Sequence, residues 1–394
     1  MTVSAKVLQR MVIILGIVLL AWGLRMRAVV LLPVDYDEDD YLRAAQLYAK
    51  IIRNRTWQQL PDVTFNSEHP PLAKLTFGAA LASLPPAPEI PEHSVTDPAA
   101  SSLPRLHLTR ARTVSAIFGT LEVLLLVLLN PLAGLLLASH TFTIKYTSYV
   151  MLEALPAFTS AVAVVAYERS QVYNGKGWNR WLALSAIALG LTISSKYVYG
   201  IAGVVILAHW LLTAGAGIIC NPRSGLQMGL RMAGWCTLGL LVFLATNPYL
   251  WSSPLERLQG SVSYHLEFSR SFLVQVMNLP FFMPIVWLFM WAPGHPDVMP
   301  IGPDPLIAVL AVVGFKSLWK TRPLYAIWIV TALVFLFLWP TKWPQYVLIL
   351  TFPWALAAAQ GLENTGPRVR RGLRRMFASQ LHCSGGDRGV VLNG

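Results

Sequence analysis

Four consecutive carboxylates, Asp37 to Asp40, stand directly after the first long apolar segment of the chain. Carboxylates there can accept protons or hold cations, and a run of them beside a membrane span must sit in water or in a cavity, because entry into lipid is costly. Ten of the chain's 19 acidic residues fall between Asp35 and Asp97. Capping is the rival explanation: Asp37 has the type and place of an N-cap, Asp40 follows three positions on, and acids complement the positive end of a helix. That accounts for one or two acids and poorly for four in a row. Cations recur at the edges of other apolar segments. Lys196 in SSKYVYG and Lys342 in WPTKWPQY each lie at a junction, where a lysine either snorkels to the interface or holds an anion. Arg110 and Arg112 open the second apolar segment and call for an acidic or anionic partner. Glu122 lies inside that segment; an intramembrane acid is a functional hypothesis by default, with pairing to a neighbouring helix as its alternative. The sequence has no HExxH, P-loop, GxGxxG or Cys/His zinc spacing, and its three cysteines are too scattered for a disulfide framework.

The elements that must position these groups are membrane helices. With 55% hydrophobic and 13% charged residues and a mean hydropathy of +0.52, the chain is far from a soluble domain, where charged residues run to about 25%. Fourteen Trp and 13 Tyr suit two membrane–water interfaces. The net charge of +12 is dispersed through short loops and the C-terminal end, a positive-inside distribution that argues against a nucleic-acid partner. The expected fold is an all-α polytopic bundle of about ten transmembrane helices. Spans are predicted at 11–32, 110–129, 131–146, 154–167, 181–195, 197–213, 231–246, 304–318, 323–339 and 346–361, with a tight turn at Asn130-Pro131. Lys6 and Arg10 before the first span, and RVRRGLRR after the last, place both termini in the cytoplasm. Two long loops, 33–107 and 247–303, then lie outside it and carry short interfacial helices. One begins at Glu38, with Tyr41, Ala45, Tyr48 and Ile51 on one face, and one begins at His69-Pro70-Pro71-Leu72-Ala73-Lys74. The apolar run Phe281–Trp291 is too short to span and is expected along the interface. Residues 1–362 form the membrane domain, and 363–394 a basic tail expected to be disordered.

The Asp37-Glu38 pair just outside the first span, then Tyr41 and Ala45 on a helix, then His69, Pro70, Pro71, Leu72 and Lys74 in HPPLxK, resemble the first extracytoplasmic loop of GT-C membrane glycosyltransferases. The likeness is to their protein O-mannosyltransferase and aminoarabinose-transferase branch. It implies a sugar donor carried on a polyprenyl phosphate, a first aspartate acting as general base and cations holding the departing phosphate. On that pattern Asp37 is the base and Glu38 its support. His69, Tyr41 and Glu153 serve the acceptor or the loop, Glu153 standing where the family usually has aspartate. Lys196, Lys342, Arg110, Arg112 and Tyr346 are the candidates for the donor phosphate. The NPYLWSSPLERLQGSVSYHLEFSR segment, with Trp251, Pro254, Arg257 and His265, resembles the family's second loop. Compared with the family the turn at Asn130-Pro131 is short, and neither an inserted luminal domain nor a large soluble C-terminal domain is expected.

The implied reaction is inverting transfer of a sugar, of the hexosyltransferase type, from the lipid-linked donor to an extracytoplasmic protein, lipid or glycan acceptor. The expected setting is a bacterial plasma membrane rather than the endoplasmic reticulum, among membrane lipids, with no covalently bound cofactor. A divalent metal is left open, with Asp37 and Glu38 as its available ligands. Two other readings stand beside this one. A transporter or flippase for lipid-linked sugars also needs buried charge and a lipid groove, and a non-catalytic subunit of a membrane complex would keep the same fold.

Overall fold

The computed structural model describes residues 3–90, 103–172, 179–220 and 222–383, and within them every long element is a helix. The first loop follows α1 (Val3–Leu31) and holds α2 (Glu38–Asn54) and α3 (Leu72–Ala82). Then come α4 (Arg105–Leu129), α5 (Pro131–Ser139), α6 (Thr141–Tyr146), α7 (Ala154–Val172), α8 (Arg180–Ser195), α9 (Ile201–Cys220) and α10 (Pro222–Ala245). The second loop holds α11 (Pro254–Phe268), α12 (Phe272–Met277), α13 (Met283–Phe289) and α14 (His295–Val298), and the chain closes with α15 (Asp304–Thr321), α16 (Pro323–Leu338) and α17 (Leu348–Cys383).

Among the described residues four helical stretches are long and apolar enough to cross a membrane unaided: Val7–Leu31, Arg105–Leu129, Gly225–Ala245 and Pro344–Thr365. Their burial sorts them by position. The most apolar window of Val7–Leu31 is only 11% buried, so α1 turns its side chains outward to lipid, whereas Pro344–Thr365 is 78% buried and forms the centre of the bundle. The expected span 131–146 is not one helix. The chain breaks at His140, whose imidazole caps α6 by accepting the Thr143 N–H at 3.3 Å. The nine-residue α5 and six-residue α6 rise only about 14 and 9 Å; neither reaches across a core of about 30 Å, and α6 is buried throughout. At the other end α17 continues to Cys383, so the first part of the basic tail is helical where disorder was expected; 384–394 lie outside the described residues. Much of the Pro-rich end of the first loop, 91–102, is also outside them.

The first loop folds as its periodicity predicts. Tyr41, Leu42, Ala44, Ala45, Tyr48, Ala49 and Ile51 form the buried stripe of α2, which packs on α3. Gly78 permits the close approach: a Cβ there would stand 2.6 Å from Cβ of Tyr48. Arg53 closes the pair by donating to the carbonyls of Leu81, Ala82 and Leu84, groups that a helix end leaves without partners. The second loop is tied across the first by Arg257, which donates to the Pro61 carbonyl at 2.7 Å, and by the Ser261 hydroxyl on the Ser67 carbonyl. Both loops therefore meet over one end of the bundle.

Candidate active site at the loop end of the bundle

Asp37 precedes the first residue of α2, yet its carboxylate makes no capping hydrogen bond. The structure thus removes the capping explanation for this residue and leaves a half-buried acid facing other charges. Burial raises its pKa to about 7; the Lys196 ammonium opposes that shift, and Glu153, Asp35 and Asp40 add to it. A carboxyl poised there is ionised often enough at neutral pH to take a proton and basic enough to keep it.

Glu38, the next residue, is the opposite case. It has no exposed surface and both oxygens are engaged. Oε1 accepts from Arg112 Nε at 2.8 Å and from the Val150 N–H at 2.8 Å; Oε2 accepts from Arg112 Nη2 at 2.5 Å and from the Asp35 N–H at 3.0 Å. The guanidinium is equally committed, with its remaining N–H groups on the carbonyls of Val29, Leu32 and Pro33. Those contacts use all five donors that an arginine has. Arg112 therefore clamps the end of α1 and the start of α2 to α4, with no N–H left for a phosphate. Arg110, two residues earlier and so about 200° round the helix, is exposed. With Glu38 saturated, the Asp37-Glu38 pair does not present two free carboxylates to a cation. Among the described residues no group of three or more His, Cys, Asp and Glu is gathered as metal ligands are.

Lys196 ends α8 and forms a buried ion pair with Glu153, which precedes α7. Its ammonium also lies 5.4 Å from the centre of the Tyr346 ring. Burial acts against that charge, but Glu153, Tyr346 and Asp37 together outweigh it and the lysine pKa rises above its ordinary value. One Glu153 oxygen, Oε2, is buried without a hydrogen-bond partner. Asp37, Glu153, Lys196 and Tyr346 thus converge from four separated stretches of sequence.

Lys342 does not join them. Its ammonium donates to the carbonyls of Leu336 at 2.9 Å, Phe337 at 3.1 Å and Trp339, capping the end of α16 with all three of its donors. Its neighbour Thr341 reaches the Tyr346 hydroxyl only at 3.5 Å. The same logic explains the lysine of HPPLAK. Lys74, buried in α3, donates to the backbone and side chain of Asn66 and to the His69 carbonyl at 2.9 Å. It thereby folds the turn in which Asn66 takes a positive φ of 55°. His69 itself is held with its ring 6.0 Å from Tyr41 and 5.2 Å from His265 of α11. Burial, with Lys196, His265 and Lys74 adding to it, lowers the His69 pKa well below the usual imidazole value, so the ring is neutral. Burial and the Asp37 charge raise the Tyr41 pKa, so its phenol stays protonated.

One cation escaped the sequence reading. Lys145, at the end of α6, pairs with Asp35 at 3.1 Å and sits 5.2 Å and 5.5 Å from the rings of Tyr146 and Tyr149. Lys145 falls inside the expected span 131–146, and a lysine inside an expected straight span is invisible as a site residue until α5 and α6 are seen to be separate helices.

A helical membrane bundle with two loops folded over one end has the GT-C architecture. The comparisons agree. The family model described as dolichyl-phosphate-mannose-protein mannosyltransferase matches residues 53–245. Dolichyl-phosphate-mannose–protein mannosyltransferase 1 of Candida albicans is 30% identical over 146 residues, which cover 34% of this chain and 16% of that protein. ArnT from Cupriavidus metallidurans, solved bound to undecaprenyl phosphate, superposes with a TM-score of 0.59 at 16% identity over 95% of this chain and 63% of its own. Its apo form gives 0.56 at 15% identity over 98% and 66%. The chain is an integral membrane protein with the GT-C fold, and it spans about two thirds of the ArnT length and a sixth of the Candida protein.

Proposed function

We propose that this chain is a glycosyltransferase that moves a sugar from a polyprenyl-phosphate donor to an extracytoplasmic acceptor, with inversion and with Asp37 as general base. The observation that carries the reading is the Asp37 carboxylate: it stands at a helix start without capping it, is half-buried, and has a pKa near 7 beside the Lys196–Glu153 pair. In the step, Asp37 takes the proton of the acceptor hydroxyl or amine as that atom bonds to the anomeric carbon. The bond from that carbon to the phosphate oxygen breaks, and its electrons pass to the phosphate. Lys196 and Lys145, with the Tyr346 hydroxyl, receive the negative charge that develops there. Glu153 keeps Lys196 protonated, and the neutral His69 and Tyr41 offer uncharged hydrogen-bonding groups to the acceptor. The Glu38–Arg112 clamp fixes the base without touching substrate.

Loop charge supports the proposed orientation, with the site facing away from a cytoplasm that holds both termini; the proposed setting is a bacterial plasma membrane. The test is a transfer assay on the purified protein in lipid nanodiscs, with a polyprenyl-phosphate hexose labelled in the sugar and a panel of peptide, lipid and glycan acceptors. Label should leave the lipid in the presence of the right acceptor and stay on it with Asp37→Asn. Movement of intact donor across a bilayer without cleavage would make the protein a transporter, and neither cleavage nor movement would leave a scaffold subunit.

A further inference from the structure

Segment 145–153 carries three contacts that build the site: Lys145 to Asp35, the Val150 N–H to Glu38, and Glu153 to Lys196. It is also held from inside the membrane. Arg25, in α1, has no exposed surface and donates Nε to the Thr147 hydroxyl at 2.9 Å, while Thr147 donates onward to the Thr143 carbonyl at 2.6 Å. Arg25 Nη1 reaches back to the Ala21 carbonyl at 3.2 Å, and Nη2 has no direct partner. Its counter-charge is Glu122 of α4, buried, interacting with it electrostatically, and without a direct hydrogen bond on either oxygen. Gly119, one turn before Glu122, makes room for the crossing: a Cβ there would stand 2.3 Å from Thr147 Oγ1 and 2.6 Å from Arg25 Nε.

A buried arginine in a span is costly, and such residues mark function or a specific partner. Among the described residues, the one hydrogen bond that Arg25 makes to another side chain goes to Thr147, within segment 145–153. We infer that Arg25 is a positioning residue, acting through Thr147 to hold Lys145 and Glu153 in register with Asp37. The inference rests on the glycosyl-transfer reading for its effect on rate, but the placement it describes is measurable without activity. A misplacement of about 1 Å at a catalytic centre costs on the order of 10²-fold in rate, so loss of the pin should slow turnover by about 10-fold or more.

Two variants separate positioning from charge balance. Thr147→Val removes the acceptor and keeps shape and both charges. The double variant Arg25→Met/Glu122→Gln removes both charges together, so that neither is left buried alone. Each should lower kcat with the donor KM little changed, and each should speed hydrogen–deuterium exchange in peptides spanning 145–153, where the Val150 amide reports the contact to Glu38. Wild-type turnover and exchange in the double variant would overturn the inference and reduce Arg25 to the counter-ion of Glu122. If the double variant does not fold, Thr147→Val decides alone, and wild-type exchange in it overturns the inference. If the wild-type protein transfers no sugar, the functional reading has failed, and exchange in the two variants still decides whether Arg25 positions the segment.

Discussion

Replacing Asp37 by Asn separates the functions a carboxylate can have at a helix start. The amide is nearly the same size and can still accept a hydrogen bond, but it cannot take a proton. A general base contributes about 10² to 10⁴ in rate, or about 3 to 5 kcal/mol at 1.36 kcal/mol per decade. With the pKa of Asp37 raised to about 7 by burial, about a tenth of the wild-type enzyme carries the base form at pH 6 and about nine tenths at pH 8. Wild-type kcat/KM should therefore rise nearly tenfold over that interval and then level. Asp37→Asn should lose both the rate and this rising limb.

Stability runs the other way. The folded-state pKa lies above the ordinary value of 3.8, so the group favours the folded state below about pH 4 and loses that contribution as pH rises through 7. The penalty at pH 8 has an upper bound of about 4 kcal/mol, from (7 − 3.8) × 1.36, reduced by the solvent that reaches a half-buried side chain. The Asn variant should thus unfold at the same temperature as wild type or higher at pH 8, with any advantage vanishing towards pH 4. The assays are label transfer in nanodiscs from pH 5.5 to 8.5 and thermal unfolding of the same samples. A wild-type pH–rate profile that is flat across pH 7, or an Asn variant that turns over normally, would refute the assignment of the base.

The clamp predicts the reverse pattern. Glu38→Gln leaves the buried Arg112 charge without its carboxylate and should cost about 3–5 kcal/mol in stability, read as a lower unfolding midpoint. The lysines divide as well. Lys196→Met should weaken binding of the polyprenyl phosphate about tenfold or more, since a charged hydrogen bond contributes about 1.5–3 kcal/mol. Lys342→Met should leave that affinity unchanged and lower the midpoint, because its donors cap α16; titration of the two variants with the same lipid phosphate compares them directly. Lys145→Met should also weaken phosphate binding, and it should do so without disturbing the Glu153–Lys196 pair.

The helical class, the two loops and the α2 stripe were legible because each rests on a local pattern: apolar length, 3.6-residue spacing, a proline at a helix start. Asp37, Glu153, Lys196 and Tyr346 were named one by one, Asp37 through the likeness to a known loop and the others through other parts of the family resemblance, and the structure brings them together. What the sequence could not show is which charges are already spoken for. Glu38, Arg112, Lys74 and Lys342 have the residue types that a transfer site needs, yet their hydrogen-bonding capacity is taken up by backbone N–H and C=O groups, by the Asn66 side chain or by one another. Saturation is set by atoms that lie as many as 112 positions away along the chain, as with Glu38 and the Val150 N–H, and no spacing rule carries it. The residues left with free capacity are the better candidates for chemistry. By that criterion the site moves from the outer arginines and Lys342 to Asp37, Lys196 and Lys145. A cation that already has three carbonyls in contact gains little from a phosphate, because it must first break bonds of nearly the same strength.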